Sequence, residues 1–413
     1  MVAGRVRGDA GKVRAQTVLV ALGVVAVLAF VFAVVGTEWW AQDAPLDTFD
    51  PAGPAARTIM DLVTPVFVVA GLIFLLVEGL IVFIAWRFRD RSGEESEPSS
   101  GSSSLPRQTH GHNLLELGWT TIPFLILLGV AVGSVATIFR LEDREPDALR
   151  VKVVGQQWWW SYEYDLDGDG FSPDDENPEV VTANELVIPA RRQVDLTITS
   201  ADVIHSFWIP RLNGKKDAVP GRLTSLSLEA DEPGRYRGQC TEFCGLSHSR
   251  MQMYVVALEE DDFRTWLEKQ RDPNAPDERS MTPAQRRGLE VFQSNCTSCH
   301  RIAGVNGEDY KGAAQVSGTA PDLTHLMSRD SFAGSIFYLW EGIDSWSGVE
   351  NYLTKEGLRL NRGALESWLR NPPGMKPMAP DPDRGSRFGR GMPNLGLSEQ
   401  QIDDLVAYLT TLD

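Results

Sequence analysis

The 413-residue chain has only four cysteines, in two close pairs, Cys240/Cys244 and Cys296/Cys299. Four are too few for a disulfide scaffold, so each pair is weighed as metal ligands or attachment points. The first pair lies in "CTEFCGLSHSRM", which adds His248 and Met251. A disulfide would leave that imidazole and thioether unexplained. A tetrahedral zinc site of Cys240, Cys244, His248 and one more histidine has little use for the thioether. A blue-copper site takes one cysteine, two histidines and a weak methionine, one thiolate fewer than this stretch offers. Two thiolates, two imidazoles and a methionine would instead suit two copper ions sharing both sulfurs. The second imidazole would be His205, at the end of the predicted strand in "SADVIHSFWIP". A lone histidine beside a strand is otherwise usually a satisfied polar residue.

The second pair lies in "CTSCH", Cys296 to His300, the attachment signature of a c-type haem. The two thiols would form thioethers to the vinyl groups, and His300 would ligate the iron. A methionine as sixth ligand would raise the potential and favour electron transfer. Met375, Met378 and Met392 compete for that role. Residues 281–413 resemble a class I cytochrome c, with "GTAPDLTHL" matching the haem-wall segment through Pro321 and Leu323. The resemblance points to Met392, just before the terminal helix, with Met378 as rival. The stretch "MAPDPDRGSRFGRG" reads as an insertion before that ligand.

Together with the strand-end His205, "CTEFCGLSHSRM" resembles the dinuclear copper A centre of cytochrome c oxidase subunit II. The resemblance covers residues 50–260 and includes "GQQWWWSYEY", "KKDAVPGRL" and "ELGWTTIP". It implies that Cys240 and Cys244 bridge two coppers, with His205 and His248 each capping one. Met251 and the backbone carbonyl of Glu242 would be weak ligands, one to each copper. The Glu242 side chain would reach a magnesium ion at the interface with the catalytic subunit. Met253 is then a core residue. Trp158 inherits the family's surface position where electrons come in. Trp159 replaces the family's usual tyrosine, and no function is read into the change.

These sites must be carried by separate elements. Residues 17–36 follow a basic head and read as a signal anchor or secretory signal. Residues 60–86 and 115–139 are each long enough to span about 30 Å of hydrocarbon. Arg87, Arg89, Arg91 and Arg107 in their connector place it in the cytoplasm, so everything after residue 140 lies outside. The alternating patterns "VDLTITS" and "LTSLSLEA" predict strands, and "EDDFRTWLEKQ" a short helix. Residues 281–413 carry helical signals, including a Ser398/Gln401 capping box before Ile402, Leu405, Val406 and Leu409 on one face. The expected fold is a multidomain membrane protein. A transmembrane α-helical hairpin (43–145) follows the anchor (1–42). An all-β cupredoxin-like barrel (146–270) and an all-α class I cytochrome c domain (281–413) complete it.

The net charge of -17 argues against nucleic acid or an anionic membrane surface as partner. Glu116 opens the last span and matches the family's mouth of a proton-uptake channel. A plain helix N-terminal carboxylate is the alternative. Glu78 lies deeper in its span and has no assigned role. "DLDGDGFSPDDE" fits the calcium-loop pattern through Asp165, Asp167, Asp169 and Glu176, though a solvated acidic loop competes.

The whole pattern is similar to subunit II of a caa3-type haem–copper oxidase with a fused cytochrome c. That resemblance implies a multi-pass protein of the bacterial plasma membrane with both soluble domains on its outer face. It implies oxidase subunits I and III as partners, and a cytochrome c or an upstream bc-type complex as electron donor. Oxygen would be reduced in subunit I, coupled to proton pumping. The rivals are the electron-input subunit of a copper-A nitric oxide reductase, and a membrane-tethered carrier or copper chaperone.

Overall fold

A computed structural model describes residues 46–89, 111–166, 180–272, 278–306, 320–345, 347–378 and 391–413. These fall into two compact units. The first is helical. Helix α1 (Pro54–Arg87) and helix α2 (Asn113–Leu141) run longer than the apolar stretches alone predict. The extensions are polar-ended turns that continue the backbone hydrogen bonding beyond the apolar segment. At about 1.5 Å per residue, both exceed the hydrocarbon thickness of a bilayer. Their large apolar side chains, such as Leu72 and Leu76 on α1 and Leu127 and Val132 on α2, remain exposed. In water such surface would be costly, and in lipid it is not. The anchor expected over residues 1–42 lies outside the described residues.

The second unit holds Glu142–Asp413. Its first half is the expected β structure. Strands β1 (Leu149–Gln156), β2 (Trp159–Asp165), β3 (Val180–Ala183), β5 (Val194–Ser200) and β8 (Thr224–Leu228) form a sheet in the order β3-β2-β1-β5-β8. Strands β4 (Glu185–Pro189), β9 (Gly234–Gln239) and β10 (Gln252–Leu258) form a second, ordered β4-β10-β9. Two parallel pairings, β1 with β5 and β4 with β10, join otherwise antiparallel neighbours. The alternation in "VDLTITS" places Val194, Leu196 and Ile198 in the core and leaves Asp195, Thr197 and Thr199 half-buried. Strands β6 (His205–Phe207) and β7 (Lys216–Ala218) pair as a separate antiparallel ribbon. Helix α3 (Glu260–Arg271) follows, burying Phe263 and Trp266, with Trp266 tilted against Tyr164.

The C-terminal half is mostly helical: α4 (Pro283–Asn295), α5 (Arg362–Arg370), a single turn α6 (Pro372–Met375) and α7 (Glu399–Leu409). Both α4 and α7 begin with reciprocal capping boxes, Thr282/Gln285 and Ser398/Gln401. Ile402, Leu405, Val406 and Leu409 are buried, the face the sequence pattern assigns to the core. Gly288 lets α4 approach α7 closely, since a Cβ there would meet the Asp404 backbone. A short hairpin, β11 (Ser331–Phe332) with β12 (Phe337–Tyr338), is an addition that the helical signals did not show.

The two halves share a buried interface. Tyr352 and Met378, from the C-terminal half, belong to the same apolar cluster as the barrel core. At its centre, Glu185 from β4 accepts hydrogen bonds from Ser331 N (2.6 Å), Ser331 Oγ (2.5 Å) and Tyr352 OH (2.9 Å). Beside it, Asp330 accepts from Lys355 Nζ at 2.6 Å and pairs with Arg235 from β9. All these side chains are buried, so the charges compensate one another within the interface.

Candidate metal centre and haem cavity

The loop after β9 brings the first ligand set together. Cys240 and Cys244 have their sulfurs 3.8 Å apart. His205, at the start of β6, places Nδ1 3.9 Å from Cys240 Sγ, and His248 Nδ1 lies 3.6 Å from Cys244 Sγ. Met251 Sδ is 3.8 Å from Cys244 Sγ, and the Glu242 carbonyl oxygen is 3.3 Å from Cys240 Sγ. Each thiol therefore has one imidazole and one weak donor beside it. Cys240, Cys244, His205 and Met251 are buried, while Glu242 is exposed. Met253 is fully buried, as expected for a core residue.

Electrostatics within the pair are unequal. The hydrogen bond with Cys244 draws the Cys240 thiol down to about 4, with burial opposing and His205 assisting. The same bond, with burial, pushes Cys244 up. Two thiols this close hold one proton between them readily, and a bound cation would displace it.

The sequence reading did not find the groups that orient these ligands. Asp202 Oδ1 lies 2.8 Å from His205 Nε2, which turns Nδ1 towards the sulfurs, and Asp202 Oδ2 accepts from Gln157 N at 2.8 Å. Gln157 Nε2 and Trp158 Nε1 both donate to the Cys244 carbonyl, at 2.6 and 3.0 Å. Gly155 lies against the histidine: a Cβ there would stand 2.8 Å from His205 Cδ2. Gly245 turns the loop at φ +109°, with Trp158 packed against it. Asp202 stands three residues before His205 in "SADVIHSF", a spacing whose meaning depends on the fold.

A cavity of about 550 Å³ lies between the barrel and the C-terminal helices. Cys296, Cys299, His300, Pro321, Met378 and Met392 line it from one side, and Gln157, Trp158 and Trp159 from the other. His300 Nδ1 is 2.8 Å from the Pro321 carbonyl, which fixes the tautomer and leaves Nε2 as the free donor. Burial holds His300 below the usual histidine range, so the ring is the neutral base a metal requires. Phe292, Leu365 and Leu405 add apolar wall. The Nε of the buried Arg329, also on the wall, has no hydrogen-bond partner. Two thiols, a tautomer-fixed imidazole, thioethers and a buried guanidinium with an unpartnered Nε fit a covalent, anionic porphyrin. Both Met378 and Met392 reach the wall, so the cavity lining is compatible with either methionine.

Trp158 is 5% exposed rather than at an open surface, because the C-terminal half covers it. Lys376 Nζ donates to the Trp158 carbonyl at 2.7 Å and to the Ala333 carbonyl at 2.8 Å. Burial lowers that ammonium to about 7.

The remaining sites stand apart. Glu116 is in the first turn of α2, where its Oε1 accepts from His112 N at 3.1 Å, the contact of a helix-terminal carboxylate. Glu78 lies on α1. Asp165 ends β2 and faces Arg150 at 3.7 Å. Asp167, Asp169 and Glu176 lie outside the described residues.

A paired-sheet β domain with two thiolates and two imidazoles, borne by two apolar helices, is the architecture of a membrane-anchored copper electron carrier. Family models agree: the periplasmic domain of cytochrome c oxidase subunit II matches residues 149–258, and its transmembrane domain residues 38–137. Cytochrome c oxidase subunit 2 of Alkalihalophilus pseudofirmus is 31% identical over 89% of this chain and 91% of its own length. That of Bacillus sp. strain PS3 is 30% identical over 79% of this chain and 80% of its own. The solved periplasmic domain of the Bradyrhizobium japonicum subunit is 35% identical over 32% of this chain and 99% of its own, with a TM-score of 0.27. The chain belongs to the cytochrome c oxidase subunit II family. It is thus a subunit of a haem–copper oxidase complex, held in the membrane with its copper domain outside.

Proposed function

We propose that this subunit receives electrons at a covalent haem c and delivers them through the copper centre to oxidase subunit I. The observation that carries the reading is the shared wall: Trp158 lines the cavity of "CTSCH" and also donates to the Cys244 carbonyl of the copper loop. When bound, haem c and the dinuclear copper each take up and release one electron. Cys296, Cys299, His300 and Met392 would hold the haem, the two cysteines as its covalent anchors. Cys240, Cys244, His205, His248, Met251 and the Glu242 carbonyl would hold the copper. The protein's contribution is rigidity. Asp202, Gln157 and Gly155 hold the donors in one arrangement, so little reorganisation accompanies each electron.

Phe243 (77% exposed) and Leu246 (60%) project from the copper loop, an apolar tip suited to docking on the membrane-embedded subunit I. Subunit III would complete the complex in a bacterial plasma membrane. The exposed Glu242 side chain would supply a magnesium site at that contact. Glu116 would open a proton-uptake path in subunit I, and the 165–176 loop is a candidate calcium site. With Trp158 covered, a soluble cytochrome c or a bc-type complex would deliver electrons to the haem and not to the tryptophan.

Metal and haem analysis of the purified full-length subunit tests the reading. It should contain two coppers and one covalent haem, with an oxidised spectrum of one unpaired electron shared by two copper nuclei. One copper per chain, zinc, or no covalent haem would refute it.

A further inference from the structure

The segment Met375–Met378 joins the haem cavity to the copper loop through a set of polar contacts. Arg250 Nη1 donates to the Met375 carbonyl at 2.6 Å, and Ser247 Oγ donates to the Pro377 carbonyl. Ser247 and Arg250 flank His248. Between them, Lys376 is 2% exposed and sends its ammonium to one carbonyl on each side of the interface, Trp158 and Ala333. Among the described residues, no carboxylate pairs with it. Burying an ammonium is costly, and its hydrogen bonds to two carbonyls across the interface set where it sits.

Resting on the haem-and-copper reading above, we infer that Lys376 is a positioning residue for electron transfer between the two centres. Its Nζ bonds the backbone of the tryptophan whose indole bonds the copper loop, and in its protonated form it places positive charge on the cavity wall. An ammonium has three N–H groups, of which these carbonyls take two, and Lys376 lines the cavity. The porphyrin's carboxylates are the anions that would complement it. A cation beside the haem favours the reduced state, which carries one negative charge more. The pinned backbone of Trp158 keeps its indole N–H on the Cys244 carbonyl, a hydrogen-bonded link from the cavity wall to the copper loop.

The test uses the assembled oxidase with Lys376→Met, Lys376→Gln and Lys376→Arg, checked for haem and copper content. In the Met and Gln variants the reduction equilibrium of haem c should fall about tenfold, a midpoint lowered by about 59 mV. The rate of haem-to-copper equilibration after flash reduction should fall at least tenfold. Lys376→Arg should restore the potential. Trp158→Phe, which loses the indole N–H but not the ammonium, should slow the rate and leave the haem potential unchanged. Haem loss in the Met and Gln variants, with normal loading in Lys376→Arg, also supports the inference, since charge is then what the cavity requires. Unchanged potential and rate in a loaded neutral variant would overturn it. A wild-type protein without covalent haem or two coppers would overturn the underlying reading instead.

Discussion

Replacing Asp330 by asparagine should loosen the joint between the two soluble halves more than any surface change of equal size. Asp330 is 2% exposed and is shared by two cations: Lys355 at 2.6 Å from its Oδ1, and Arg235 on its other oxygen. Those two side chains are 8% and 1% exposed, so neither can turn to water when the carboxylate is lost. Arg235 already has its Nε and Nη1 without partners, which leaves it no alternative acceptor. The substituted amide keeps one acceptor oxygen but presents an NH2 group to the second cation. Removing one member of a buried pair typically costs about 3–5 kcal/mol. For a unit of this size, that corresponds to a melting temperature lower by roughly 6–20 °C. Calorimetry of the purified full-length protein measures it, and Glu185, fully hydrogen-bonded beside the pair, should not compensate. A shift equivalent to less than about 1 kcal/mol would refute the view that this cluster holds the halves together, because surface pairs commonly reach that value.

Gly155→Ala should reduce copper content by at least half while leaving haem content unchanged, because its methyl would press on the His205 ring. Metal analysis against haem absorbance reads the two separately, and a full copper complement would contradict the packing argument. Asp404 is held below the usual carboxylate range by its hydrogen bonds from Arg287 Nε and Nη2, at 2.9 and 2.8 Å. A depressed folded value means stability present above the unfolded value, roughly 4, and lost as pH falls through the folded one. Melting curves between about pH 5 and pH 2 should therefore show a smaller acid loss in Asp404→Asn than in wild type, and parallel curves would exclude the effect.

The donor types of both sites were legible in short spans because they are properties of neighbouring residues. A "CTSCH" run needs nothing distant to present two thiols and an imidazole. The spacing from Cys240 to Met251 likewise delivers four donors from one loop. Apolar length similarly announced α1 and α2, and the Ser398/Gln401 capping box announced α7, since these depend on residues within a few positions. Other features depend on pairs far apart in the chain. Asp202 is three residues from His205, but its bond from Gln157 N and the approach of His205 to Cys240 span 45 and 35 positions, and Gly155 matters only because β1 passes under that ring.

The burial of Trp158 follows the same logic. Its strand pattern carries no sign of Lys376, which reaches its carbonyl from 218 positions further along the chain. Glu185, Arg235, Asp330 and Lys355 read singly as ordinary surface charges, and only docking of the two halves turns them into a buried network. Donor types and element lengths are local properties of a chain. Which groups lose their water, and which neighbours then replace it, is settled only when distant segments pack together.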